Sequence, residues 1–512
     1  MKFLSIQLVQ ARLYIGAGIV LASVAAILLI GLAAPLYAQG ETIQWSRPVN
    51  LSATIGGSIS SNLVADKYGR LHVFWSGGNF AGGLPGQSDG QTTTNIPPGN
   101  TLYYRYWNGQ AWSKPVDLFF TNGPYYNLPV AATDNTDTIH LVWVAYEGIH
   151  YSSASLLSSL DARAWRRDTL IANGAGDRPS LVADKNGTLH LVYAAWTDAS
   201  HAPDGNVYYM TSTDHGNNWS TPLQVSQIGK GEQTFGYYDR LVIDSNGILH
   251  LVWSEAQGPS YVGRTMMYAR STDHGKSWSA PLRLAWGPTD KSRNDAPEMV
   301  SPGPNEVMIT YVCGEGAGRC FLYSKDAGRS WSPSQHVFGD LLALSAWDGM
   351  TVDSQGKIYW IMQLRNPPAM YYSIWDGNQW QSPPVPFLTQ PPLDVANGPV
   401  PVISEGNKLN LVVYSGVTGE VWYTRGIIQA PFESPPVIPT ATPVPTATAT
   451  PTLTPSPTPR IVIPTVAPTV VAETAPGTDA GGSSALLLGV IPVILLVLVL
   501  VAIGLLRRAM GR

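Results

Sequence analysis

The stretch VADKNGTLHLVY, residues 182–193, sets a tight turn, Asp184-Lys185-Asn186-Gly187, between two short β-rich runs. Asp can accept turn N–H bonds and Gly reaches positive φ, while the second run alternates apolar and polar positions with the period of a strand. The pattern recurs as VADKYGRLHVFW (64–75), ATDNTDTIHLVW (132–143) and VIDSNGILHLVW (242–253). Weaker copies are PGPNEVMITYV (302–312), VDSQGKIYWIM (352–362) and SEGNKLNLVVY (404–414). Seven copies about 56 residues apart make a repeat architecture of small sheets. His72, His140, His190 and His250 hold one strand position in it. They read as parts of the repeat, not as metal ligands, and no metal site is expected.

Between these units lie hairpins ending in tryptophan. Three are strong: STDHGNNW (212–219), STDHGKSW (271–278) and SKDAGRSW (324–331). YWNGQAW (106–112), LDARAW (160–165) and IWDGNQW (374–380) are looser. Asp and Ser can bond within such a turn, Gly permits φ > 0, and Trp is expected to pack over the loop. The seventh hairpin is missing from the end of the repeat, but Trp45-Ser46-Arg47-Pro48 at its start matches the W-S-x-P that follows the others. An N-terminal strand that completes the last sheet closes a ring and leaves no long exposed edge. The expected fold is therefore an all-β, seven-bladed β-propeller over 39–430 whose N-terminal strand closes the last blade. A six-bladed ring with one irregular unit is the alternative.

The flanks read differently. Residues 1–38 carry Lys2 and Arg12, an apolar stretch and the small-residue site Leu36-Tyr37-Ala38, as a signal peptide does. The apolar stretch exceeds the usual length, so an uncleaved anchor is the other reading. Residues 431–484 include IPTATPVPTATATPTLTPSPTP, which favours polyproline II and cannot bury a core. This is a disordered Pro/Thr-rich stalk, on the order of 100 Å or more if extended at about 3.1 Å per residue. Residues 485–506 are uncharged and long enough for a transmembrane helix, and Arg507, Arg508 and Arg512 mark 507–512 as a cytoplasmic tail. The expected location is the cell membrane, single-pass, with the propeller outside.

Composition narrows the function. With 31 Lys+Arg against 35 Asp+Glu and no basic run, the chain lacks the electrostatic footprint of a nucleic-acid binder. Its two cysteines cannot build a disulfide scaffold; Cys313 and Cys320 flank one loop and either pair across it as a disulfide or remain two thiols.

The S-x-D-x-G-x-x-W motif resembles the Asp-box, or BNR repeat, of the sialidase-like propeller superfamily. The resemblance implies that Ser212, Asp214, Gly216 and Trp219, with Ser271, Asp273, Gly275, Trp278, Ser324, Asp326, Gly328 and Trp331, are structural and peripheral. Sialidases of that superfamily also carry an arginine triad, a tyrosine nucleophile paired with an acid, and an aspartate general acid/base. Their first arginine sits in an F/Y-R-I-P motif that this sequence lacks.

Residues that break the repeat are the functional candidates, because residues that recur serve the blade. They gather where first strands begin and where second and third strands join, two loop sets that share one propeller face. Arg178, Arg240 and Arg365 are the set best placed to hold a carboxylate. Asp239 or Glu255 is the candidate acid, and Tyr238 or Tyr237 the candidate nucleophile. Tyr126, Tyr237, Trp347, Asp348, Asp177 and Asp295 are candidate ligand-binding residues, the aromatics by stacking on sugar rings. The residues 76–100 form a glycine-rich loop that could overhang the channel. The expected function is recognition of an extracellular glycan or protein ligand at this face, without a cofactor. The alternative is a sialidase-like exo-glycosidase acting on extracellular glycans.

Overall fold

The computed structural model describes residues 41–438 apart from 53–56, 80–98, 123–127, 146, 175, 177–178, 196–204, 229–233, 258–261, 290–291, 340 and 343–346. The segments 1–38 and 485–506, and nearly all of 431–484, lie outside the described residues. Among those described, no helix is long and apolar enough to cross a membrane.

The described strands form seven antiparallel sheets, six of them hydrogen-bonded in sequence order and the seventh completed by the N-terminal strands. Blade 1 comprises Ile59–Ala65, Leu71–Asn79, Gly99–Trp107 and Val116–Asn122; blade 2, Val130–Thr133, Thr138–Val144, Gly148–Ser155 and Thr169–Asn173. Blade 3 comprises Ser180–Ala183, Leu189–Ala195, Asn206–Ser212 and Leu223–Gln224; blade 4, Thr234–Ile243, Leu249–Gln257, Gly263–Ser271 and Leu282–Trp286. Blade 5 is Asn294–Gly303, Glu306–Cys313, Gly318–Ser324 and Gln335–Val337; blade 6 is Gly349–Val352, Ile358–Arg365, Pro368–Trp375 and Val385–Leu388. Blade 7 has three late strands, Ala396–Ser404, Lys408–Ser415 and Glu420–Ile427. Its edge is covered by the N-terminal Gln44–Trp45 and Val49–Asn50, both paired with Glu420–Ile427. The first strands contact one another in order around the ring, the last against the first. This is a seven-bladed propeller, and the six-bladed alternative is excluded by the count of sheets.

The recurring histidines are buried struts. His72 bonds the Tyr104 hydroxyl at 2.7 Å and the Asp66 carboxylate at 3.2 Å, so one side chain on the second strand ties the turn to the third strand. His140–Tyr151, His190–Tyr209 and His250–Tyr268 repeat the contact at 2.8, 2.7 and 2.7 Å. In blade 7 Asn410 takes the same place, accepting from the Tyr423 hydroxyl and donating to Ser404 Oγ. Burial pulls His72 and His190 below the ordinary histidine range and His250 down to about 4, so these rings are neutral near pH 7.

The S-x-D-x-G-x-x-W turns join third and fourth strands. Ser212 Oγ donates to Asp214 Oδ1 (2.9 Å) and accepts from the Gly216 N–H (2.8 Å), while the Asn218 N–H donates to Asp214 Oδ1 (2.8 Å). The turns at 271–278 and 324–331 repeat this network. Hydrogen bonds from Ser277 and Ser330 hold the Asp273 and Asp326 carboxyls down at about 2.

The tryptophan does more than cover its own loop: it docks on an aromatic of the preceding blade. Centroid distances are 5.4 Å for Tyr151–Trp219, 5.3 Å for Tyr209–Trp278 and 4.9 Å for Tyr268–Trp331. Tyr104–Trp165, Phe321–Trp380, Tyr372–Trp45 and Tyr423–Trp112 complete one such contact at every blade boundary. Trp45 fills the seventh place, and the Arg425 N–H donates to Ser46 Oγ (3.0 Å) as the Arg270 N–H does to Ser279 Oγ (3.1 Å). The N-terminal strand is thus a displaced piece of blade 7.

The glycine-rich stretch 76–100 is shorter as a loop than its composition suggests. Gly77, Gly78 and Asn79 pair with Thr101, Asn100 and Gly99. Ladder bonds are made by the backbone, so small residues do not prevent pairing.

Candidate functional site

In an antiparallel blade the start of the first strand and the hairpin between second and third strands lie at one end. The tight turns with their histidines, and the Asp-centred hairpins, lie at the other. The repeat-breaking residues therefore share the first end.

A common backbone device shapes that end. In blades 1, 4, 5 and 7 the register slips between Ile59 and Asn62, Tyr237 and Arg240, Asp295 and Glu298, and Asn397 and Val400. Each bulge holds a residue with positive φ: Ser60 (54°), Tyr238 (52°), Ala296 (47°) and Gly398 (56°). A bulge re-aims a side chain, and a left-handed non-glycine residue stores about 1–2 kcal/mol. Gly349 faces Ile361 as Arg240 faces Val252, so Trp347 stands at the place in blade 6 that Tyr238 holds in blade 4.

Two aromatic side chains are thus brought together past a small one. Tyr238 and Trp347, both half-buried, approach edge to face at 6.4 Å between centroids. Blade 5 lies between them and offers only Ala296 at the corresponding position. Tyr237 backs Tyr238 at 4.4 Å, and Tyr414 of blade 7 backs Trp347 at 6.0 Å. Gly398 is required here, because a Cβ would sit 2.7 Å from the Tyr414 ring and 3.8 Å from Trp347.

The charged candidates are engaged in pairs between and within blades. Arg240 Nε and Nη2 donate to Glu298 Oε1 of blade 5 at 2.9 and 2.7 Å, and Nη1 donates to the Asp239 carbonyl. Arg319 and Asp348 form a buried fork across blades 5 and 6 at 2.6 and 2.7 Å, and the Trp360 indole N–H also donates to Asp348. Burial pushes the Asp348 carboxyl up, against the lowering effect of Arg319 and Trp360. Asp295 is 1 % exposed; it accepts from the Tyr237 hydroxyl (2.6 Å), from its own blade's Ala296 N–H and from Arg293. Burial and then the Asp295 charge hold the Tyr237 phenol well above its ordinary range, so it is protonated.

Asp239 is fully buried, and Glu255 accepts from the Trp253 indole N–H at 3.1 Å. Arg365 is exposed at the end of Ile358–Arg365. Tyr126, Asp177 and Arg178 lie outside the described residues, so two arginines of the sequence-derived set are placed and the third is not. Cys313 and Cys320 form a disulfide across the blade 5 hairpin, with Cα atoms 5.8 Å apart. Among the described residues no group of three or more His, Cys, Asp or Glu could hold a metal ion.

Glu298, Arg319 and Tyr414 escaped the sequence reading. Glu298 was within reach of it, since Glu298-Met299-Val300 aligns with Arg240-Leu241-Val242 and places opposite charges on neighbouring blades. Arg319 lies on a third strand and Tyr414 on a second, where no repeat-breaking signal separates a site residue from a core one.

No family model and no curated protein matches the chain. Among solved structures it is similar to a protein of unknown function from Dyadobacter fermentans (12% identity, TM-score 0.47, covering 76% of this chain and 99% of that one). It is also similar to the polysaccharide lyase Uly1 (13%, 0.45, 77% and 94%) and to the NanB sialidase of Streptococcus pneumoniae (11%, 0.42, 76% and 70%). The propeller assignment rests on the strand order itself.

Proposed function

We propose that residues 39–430 are a cell-surface recognition module that takes a carbohydrate at the aromatic end of its channel. In this reading residues 1–38 export the chain, 431–484 form the stalk, 485–506 span the membrane and 507–512 remain in the cytoplasm. The carrying observation is the half-buried pair Tyr238 and Trp347, edge to face, with Tyr238 in a bulged strand, and backed by Tyr237 and Tyr414. Aromatic faces fixed in this way suit the C–H face of a sugar ring, and ordering them before binding spares entropy. The test is glycan binding by the purified ectodomain Gln39–Glu433 beside Tyr238→Ala and Trp347→Ala variants. The expected loss is about tenfold or more in affinity for each, at roughly 1.4 kcal/mol per decade. Unchanged binding by both folded variants refutes the site.

One observation favours an exo-glycosidase as second reading: the hydrogen bond from Tyr237 to Asp295 joins a phenol to a carboxylate. Turnover of fluorogenic glycosides, sialosides included, that disappears in Tyr237→Phe would establish it. The raised phenol and its burial argue for a strut instead.

A further inference from the structure

We propose that the glycan taken at this mouth is an uncharged one, an inference that rests on the carbohydrate reading above. A site built to grip a carboxylate or sulfate presents arginine forks with donors to spare. Here the forks are spent on the protein. Arg240 places Nε and Nη2 on Glu298 and Nη1 on the Asp239 carbonyl. Arg319 gives Nε and Nη2 to the two Asp348 oxygens and Nη1 to the Ala317 carbonyl, with its side chain 0% exposed and that of Asp348 3%. Arg293 puts Nε and Nη2 on one oxygen of Asp295, whose side chain is 1% exposed.

Recruiting any of these arginines to an anionic ligand would strand a carboxylate that lies out of water, so binding would have to offset that loss before gaining anything. The charges also balance one for one, Arg240 with Glu298, Arg293 with Asp295 and Arg319 with Asp348. Among the described residues these three arginines therefore add no net positive charge beside Tyr238 and Trp347. Of the outlying arginines, Arg264 donates to Gln257, and Arg365 stands exposed at a hairpin end where solvent screens it. What the mouth offers is aromatic surface, which can stack on the C–H face of a sugar ring but brings no counter-charge for an anionic one.

The experiment is a glycan array carrying neutral, uronate-containing, sialylated and sulfated oligosaccharides, probed with the ectodomain Gln39–Glu433. Hits are then titrated at about 0.1 M and about 1 M salt, between which the Debye length falls from about 10 Å to about 3 Å. The expected result is hits confined to neutral oligosaccharides, affinity changed by less than about twofold with salt, and loss of binding in Tyr238→Ala. Preferential capture of acidic glycans, weakened about tenfold or more by salt, overturns the inference and leaves the carbohydrate reading standing. An array silent for every class overturns that reading, and the inference with it.

Discussion

Replacing Gly216 by alanine tests the contact that repeats between blades. Gly216 has φ +80°, and a Cβ built on it falls on the hydroxyl of Tyr151 in the preceding blade. Two costs therefore add: about 1–2 kcal/mol for a left-handed alanine and about 1–3 kcal/mol for forcing an atom into packed space. The structure supplies its own control. Gly377 lies in the looser hairpin of blade 6, with φ +100° and nothing within 4 Å of an added Cβ. Gly377→Ala should show the first cost alone. With an unfolding entropy of about 2.1 cal/mol/K per residue, a propeller of roughly 390 residues loses about 1 °C of Tm per kcal/mol. Calorimetry should accordingly place Gly216→Ala about 2–5 °C below wild type and Gly377→Ala about 1–2 °C below. Equal shifts would refute the reasoning, because they would mean that Tyr151 does not occupy the space against Gly216. Gly275 and Gly328, packed on Tyr209 and Tyr268, should behave as Gly216 does.

Two further outcomes follow from the buried charges and histidines. Asp348→Asn should destabilise the ectodomain by about 3–5 kcal/mol in denaturant titration by leaving Arg319 buried without its counter-charge, whereas Arg319→Met combined with Asp348→Leu should recover most of the loss. His250 is held at about 4 in the fold against about 6.5 unfolded, so the unfolded chain binds the extra proton first; its contribution, about 3 kcal/mol, is complete above about pH 6.5 and is lost as pH falls towards 4. His250→Asn, which copies the place of Asn410 in blade 7, should flatten acid unfolding across that window. An unchanged profile would show that His250 is not the group being titrated.

The blade repeat was legible because it is local. A turn Asp, a turn Gly and an alternating strand signal themselves within a dozen residues, and the copy number follows from counting them. The missing seventh hairpin was legible too, since Trp45-Ser46 carries the motif out of order. What the repeat concealed was partnership. Nothing in STDHGNNW reveals that Gly216 makes room for Tyr151, because the two residues are joined by packing and not by spacing. The same holds for the candidate site: Tyr237, Tyr238, Trp347 and Asp295 stood out as departures from the pattern. Whether Arg240 was free to hold a ligand depended on Glu298, 58 residues away in the next blade.

By itself, then, the sequence determined an all-β chain of seven repeated units with an early strand suited to close the ring. Turn chemistry and strand alternation act over a few residues, and each repetition strengthens the signal. Only the tertiary structure decided what the odd residues do. A bulge in the first strand of blade 4 and the chain just before the first strand of blade 6 bring Tyr238 and Trp347 together past Ala296, and blade-to-blade geometry commits Arg240 and Arg319 to carboxylates of the protein itself. Side chains tens of residues apart meet only when the ring closes, and the low dielectric between blades then makes the partner, not the residue type, set the role.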